Sequence, residues 1–157
     1  MKRLALILGT LGIFGFNSMS HAATPLLATE GQVLSKVISD EQGIDFMKGS
    51  WADALNKAKK EDKLIFLDAY ASWCGPCKYM ARTTFTEEKA GKFFNEHFVN
   101  FKMDMEKHPD GPRLSRKYGL EAYPTLYFID KNEKMVHMSV GALNVKELLA
   151  EAQIALR

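Results

Sequence analysis

Hydrophobic and polar positions along this 157-residue chain follow two periods, and the switches between them mark its elements. Residues 64–70 read LIFLDAY, apolar at nearly every position, which predicts a central strand covered on both faces. Ahead of it, Ser50 and Asp53 have capping-box spacing, and Trp51, Ala54, Leu55 and Ala58 recur on one helical face. The charged run at 57–63 ends that helix as a solvated turn. Ile44, Asp45 and Phe46 predict a short first strand. Further on, Thr86 predicts the cap of a helix over 87–97, with Ala90, Phe93, Phe94 and Phe98 inward. Val99, Phe101 and Met103 alternate with Asn100, Lys102 and Asp104, a strand pattern. Pro112 opens a short helix carrying Leu114 and Tyr118 to Gly119. Two strands, Thr125 to Ile129 and Met135 to Val140, flank the turn residues 130–133 as a hairpin. Asn144 caps the last helix, with Glu147 at the capping-box position and Leu148, Leu149, Ala152 and Leu156 inward. Strands interleaved with helices and closed by a hairpin predict an α/β layered domain. No repeat or low-complexity segment interrupts it.

The first residues change the picture. Met1-Lys2-Arg3 is a short basic start, and residues 4–16 form an apolar run too short to span a bilayer comfortably. Ser20-His21-Ala22 then offers small residues at the two positions a signal peptidase reads, so cleavage is expected after Ala22 and the mature chain is exported. With no cysteine near that site, a lipid anchor is not expected, nor any membrane anchor after cleavage. Residues 23–43 lack sustained periodicity and read as a flexible segment, with a short helix admissible over 32–38; residues 44–157 then form a single domain. Removing Lys2 and Arg3 from 21 basic residues leaves 19 against 19 acidic ones. The mature chain is thus formally neutral, and with no basic run among aromatics, nucleic acid is not an expected partner. About 135 residues remain after a 22-residue leader, enough for one domain with a real core.

The two cysteines, Cys74 and Cys77, stand together directly after the apolar strand, with Gly75 and Pro76 between them. In an exported chain a cysteine pair is usually a structural staple, but a four-residue loop closes little chain entropy. A strand delivering C-x-x-C to a helix N-terminus has a chemical consequence instead. Unpaired N–H groups there stabilise a thiolate on the first cysteine, and thiolates attack disulfides. The second cysteine is placed to close the ring and expel the partner. Pro76 suits a first turn, where no N–H partner is needed.

Four separated features now coincide: Trp73-Cys74-Gly75-Pro76-Cys77-Lys78; Asp68, six residues before the first cysteine; Tyr123-Pro124-Thr125; and Val140-Gly141-Ala142. Together they resemble the thioredoxin superfamily over roughly residues 44–156, and the resemblance implies a thioredoxin fold with a central mixed sheet flanked by helices. It also implies roles. Cys74 is the attacking nucleophile and Cys77 the resolving thiol; Asp68 is a buried carboxylate that takes a proton from Cys77, directly or through water. Lys102 falls where the family has a lysine near that carboxylate, and it reads equally as a strand-edge surface lysine. Pro124 matches the family's cis-proline facing the cysteines, and Trp73 either shields the site or is an ordinary core aromatic. Gly75 and Pro76 shape the turn. Tyr70 and Tyr123 depart from the common pattern, Tyr123 beside the expected substrate groove. The join Thr83-Thr84-Phe85-Thr86 is loosely similar to the C-terminal domain of the bacterial transmembrane reductase DsbD.

The resemblance implies a thiol-disulfide oxidoreductase with no cofactor besides the Cys74–Cys77 couple. Gly-Pro between the cysteines resembles reducing members, so the expectation is a periplasmic monomer that reduces client disulfides and is re-reduced by a membrane thiol donor. Oxidase or isomerase action is the alternative direction. Two rivals come from other classes. C-x-x-C binds Cu(I) elsewhere and the chain has eight methionines, but Met103, Met105, Met135 and Met138 read as core filler, and His97, His108 and His137 lack ligand spacing, so no metal site is expected. A non-catalytic partner-binding module needs none of Cys74, Cys77, Asp68 and Pro124 together.

Overall fold

The computed structural model describes residues 43–157. The expected leader, its cleavage point and the segment preceding residue 43 lie outside the described residues. In chain order come α1 (Trp51–Glu61), β1 (Leu64–Tyr70), α2 (Gly75–Arg82), a 3-10 turn (Thr84–Thr86), α3 (Glu88–His97), β2 (Phe98–Asp104), α4 (Gly111–Tyr118), β3 (Thr125–Ile129), β4 (Met135–Val140) and α5 (Val145–Ala155). The four strands form one mixed sheet in the order β2-β1-β3-β4. β1 runs parallel to β2, with Asp68 opposite Lys102, and β3 is antiparallel to both β1 and β4.

The central position of β1 and β3 explains their composition, because both faces of each are covered. On one face Ile65, Leu67 and Ala69 pack with Phe101, Met103, Tyr127 and Ile129 beneath Trp51, Ala54 and Ala58 of α1 and Leu114 and Tyr118 of α4. On the other, Phe66, Leu126 and Phe128 meet Met80, Phe85, Phe94 and Leu148 from α2, the 3-10 turn, α3 and α5. Phe66 lies 4.5 Å from Phe94 between ring centroids, an edge-on pair typical of a dense aromatic core. Asp68 shares the Phe66 face by strand alternation, which points it beneath α2.

Both expected capping boxes are present, Ser50 with Asp53 on α1 and Asn144 with Glu147 on α5. The hairpin turn is held by Asp130 Oδ1, which accepts from Asn132 N and Lys134 N, both at 2.8 Å. Glu133, with φ 63°, clamps that turn to the body of the molecule. Its carboxylate accepts from Trp51 Nε1 (2.6 Å), Arg113 and Lys117. Partial burial opposes its charge, yet these donors hold its pKa down to about 2.

Several expectations are corrected. Residues 44–46 form no strand. They run along the open edge of β2, where Met47 N donates to Asn100 O (3.0 Å), but Ile44 N turns away to Phe85 O (2.7 Å). The Asn100 side chain fills the gap by donating to Asp45 O and Asn95 Oδ1, which is why a polar residue of the alternating β2 pattern is buried. Thr86 does not cap α3; its hydroxyl donates to Thr83 O (2.7 Å), and the cap position falls to Glu87. Leu156 is exposed because α5 ends before it. Met135 and Met138 are exposed rather than core filler, since β4 is an edge strand.

Candidate active site

β1 ends at Tyr70, and Cys74 N donates to Ala71 O (3.0 Å) to close the turn that follows. That turn sets Cys74 at the N-cap of α2 in extended backbone (φ −67°, ψ 113°). Its Sγ accepts the Cys77 N–H at 3.1 Å, the place a capping oxygen takes in other helices. A thiolate here meets converging N–H groups and the positive end of the helix, so its formation is favoured. Pro76 occupies the first turn without wasting a donor. Cys74 and Cys77 are disulfide-bonded, so this is the oxidised form. Both are nearly buried, packed with Ala71, Tyr70 and Tyr123. Gly75 is exposed, with open space where a Cβ would stand, which leaves a low surface beside the disulfide for an approaching chain.

Asp68 is 1% exposed, and neither carboxyl oxygen has a hydrogen-bond partner among the described residues. Lys102 Nζ stands 3.2 Å from Oδ2 as an ion pair. Burial pushes the Asp68 carboxyl up, and the nearby ammonium only partly offsets this. Lys102 itself lies over the rings of Tyr70 (4.7 Å), Phe85 (5.6 Å) and Phe46 (5.7 Å). The parallel register of β1 and β2 thus brings Lys102 to the carboxylate, and aromatic faces line the path of its chain.

The rim of the site is aromatic and acidic. Trp73 is 67% exposed, not a core residue, and its Nε1 donates to Glu106 Oε2 (3.0 Å). Tyr123 meets the Trp73 ring edge-on at 5.8 Å. Burial, then the charges of Glu106 and Asp104, push the Tyr123 hydroxyl up, so it stays neutral as a donor. Burial also presses on Asp104, but the Glu106 and Lys107 N–H groups and the Ser72 hydroxyl outweigh it and keep that carboxyl low. The Tyr123–Pro124 peptide is cis. Thr125 Oγ1 donates to Ala122 O and Gly141 N donates to Pro124 O, each at 2.8 Å, locking this loop to the end of β4. Gly141 has φ +100°, a conformation that side chains resist, which accounts for the glycine.

The structure therefore gathers Cys74, Cys77, Gly75, Pro76, Trp73 and Tyr123 at one end of the sheet, with Asp68 and Lys102 paired on the strands. Glu106 was not singled out in the sequence. It lies 33 residues from Trp73, and no periodic pattern links an acid just past β2 to an indole before α2.

Comparison with known proteins agrees with this arrangement. A family model described as "Thioredox_DsbH: Protein of unknown function, DUF255" matches residues 38–123. Thioredoxin H4 of Arabidopsis thaliana is 34% identical over 126 residues, 80% of this chain and 92% of that relative. Among solved structures, one proposed to be a disulphide-isomerase from Bacteroides thetaiotaomicron is 44% identical with a TM-score of 0.66, covering 74% of this chain and 95% of its own. The DsbD C-terminal domain of Neisseria meningitidis in its oxidised form shares the fold, at 23% identity and a TM-score of 0.55 over 65% of this chain and 89% of that one. The fold and the C-x-x-C define a thiol-disulfide oxidoreductase. The chain belongs to the thioredoxin-like family.

Proposed function

We propose that the protein is an exported reductase of protein disulfides. The observation that carries this is Cys74 Sγ at the N-cap of α2, accepting the Cys77 N–H at 3.1 Å. In the reduced form the Cys74 thiolate attacks one sulfur of a client disulfide, forming a mixed disulfide and releasing the other client sulfur as a thiolate, which takes up a proton. Cys77 then loses its proton and attacks Cys74 Sγ, which releases the second client thiolate and regenerates the Cys74–Cys77 disulfide. Two electrons pass to the client. The Asp68 carboxylate, whose pKa burial raises, is the acceptor for the Cys77 proton, directly or through water, and Lys102 tunes it. Trp73, Gly75, Pro76, Tyr123 and Pro124 form the surface against which the client chain lies.

The direction rests on Gly-Pro between the cysteines, and export rests on the leader read in residues 1–22. A reductant in an oxidising compartment needs re-reduction, and a membrane thiol donor is the class of partner that supplies it. The relative proposed to be a disulphide-isomerase favours a second reading in which Cys74 attacks and then returns the client to a new pairing. Both readings require a reduced resting pair. Acid quenching followed by thiol alkylation of the osmotic-shock fraction reads that state directly. Mostly reduced Cys74 and Cys77 in that fraction is the expected result; a mostly oxidised pair, or a protein confined to the cytoplasm, would contradict it.

A further inference from the structure

We propose that the exposed face of β4 is a docking strip for an apolar, extended segment of the client chain next to its disulfide; this rests on the reading that clients are polypeptide disulfides. Val136, Met138 and Val140 are 45%, 42% and 54% exposed within the described residues. Met138 and Val140 stand opposite Tyr127 and Thr125 and share one face, and Val136 lies at a register shift in the pairing with β3, while His137 pairs with Glu151 of α5. Among the described residues β4 is an edge strand, so an added strand can pair with its outer backbone. Edge strands are commonly blunted with charge, yet the six residues of β4, MVHMSV, include no Lys, Arg, Asp or Glu.

Continuity with the disulfide face identifies the occupant. Val140 pairs with Thr125, which pairs with Ala69, so all three stand on one rung at the cysteine end of the sheet. The next residue, Gly141, donates to Pro124 O. The strip therefore begins at the cysteine end of the sheet, one residue from the bond that ties Gly141 to the Pro124 loop, and runs on for roughly 13 Å along β4. A second copy is the poorer occupant. A strand of six residues offers a strip of a few hundred Å² at most, well under the roughly 800 Å² per partner of a stable interface. A client already held through Cys74 needs only such a weak auxiliary contact, because attachment raises its effective concentration.

The test uses two synthetic peptides, each with one cysteine in mixed disulfide with glutathione. One carries the flank Val-Leu-Val-Leu-Val and the other Ser-Gln-Ser-Gln-Ser, and hydroxyethyl disulfide serves as a reference substrate without a flank. The wild-type dithiol is expected to reduce the apolar peptide about tenfold faster than the polar one, equivalent to ~1.4 kcal/mol. The double variant Val136→Lys with Met138→Lys is expected to lose that preference while reducing hydroxyethyl disulfide at the wild-type rate. The milder Val136→Thr with Met138→Thr pair, which suits a strand, is expected to lose part of it. A wild-type protein that reduces hydroxyethyl disulfide but shows no preference would overturn the docking strip alone. No reduction of hydroxyethyl disulfide at all would overturn the reductase reading. A wild-type dimer in sedimentation, split by the lysine pair, would assign the strip to a second copy and overturn the client proposal.

Discussion

Cys74→Ser is expected to abolish reduction of protein disulfides, a loss on the order of a thousandfold or more, because the remaining thiol, Cys77, lies in the first turn rather than at the N-cap position that favours the attacking thiolate. Cys77→Ser is expected to behave differently. It keeps the attacking thiol but cannot expel the client, so a mixed disulfide with Cys74 accumulates and turnover stops after one event. Non-reducing electrophoresis and intact-mass measurement on each variant check both outcomes. Loss of the fold is not the cause in either case. Closing a four-residue loop constrains the unfolded chain by about 2 kcal/mol, and the packed aromatic core of the sheet is untouched. Equal residual activity in the two variants would show that the roles are not divided as the geometry implies.

Asp68→Asn is expected to raise stability at neutral pH and to slow turnover together, a pairing that a purely structural residue does not produce. Asp68 is buried with neither oxygen hydrogen-bonded among the described residues, and burial, only partly offset by the Lys102 ammonium, raises its pKa in the folded state above the ordinary value of 3.8. The folded protein therefore binds more protons than the unfolded chain, and stability falls as pH rises from about 4 through the folded pKa. The neutral amide removes that penalty, while Lys102, whose side chain is 28% exposed, remains solvated. A gain in stability in urea unfolding at pH 8 is expected, shrinking toward zero as pH approaches 4. Turnover is expected to fall by about 10- to 100-fold, since the Cys77 proton loses its acceptor. A variant less stable than wild type at pH 8 would contradict the burial argument, and unchanged turnover would contradict the proton role.

Much of this was legible in the sequence because local signals and global placement agree. The apolar run at residues 64–70 became the central strand, the two capping boxes formed, and both hairpin strands match their pattern end to end. What escaped is tertiary. Residues 44–46 have strand composition, but Asn100 takes up the carbonyl that a ladder would have used. Met135 and Met138 look like core residues in the sequence; only the strand order reveals that β4 is an edge. Glu133 reads as an ordinary turn residue, though it clamps the hairpin to Trp51, Arg113 and Lys117 through contacts spanning 16 to 82 positions. At the site, the cysteines, Asp68 and Pro124 could be named from spacing and resemblance. Glu106 and the aromatic faces around Lys102 could not, because strand register and loop path bring them there.

The reduction potential of the Cys74–Cys77 couple tests the central claim most directly, by equilibration against dithiothreitol or glutathione buffers. A reductant built on this site predicts a value near about −270 mV, that of thioredoxin. A value of about −180 to −120 mV, with a markedly acidic Cys74 thiol, would contradict it and assign the protein to disulfide formation or rearrangement.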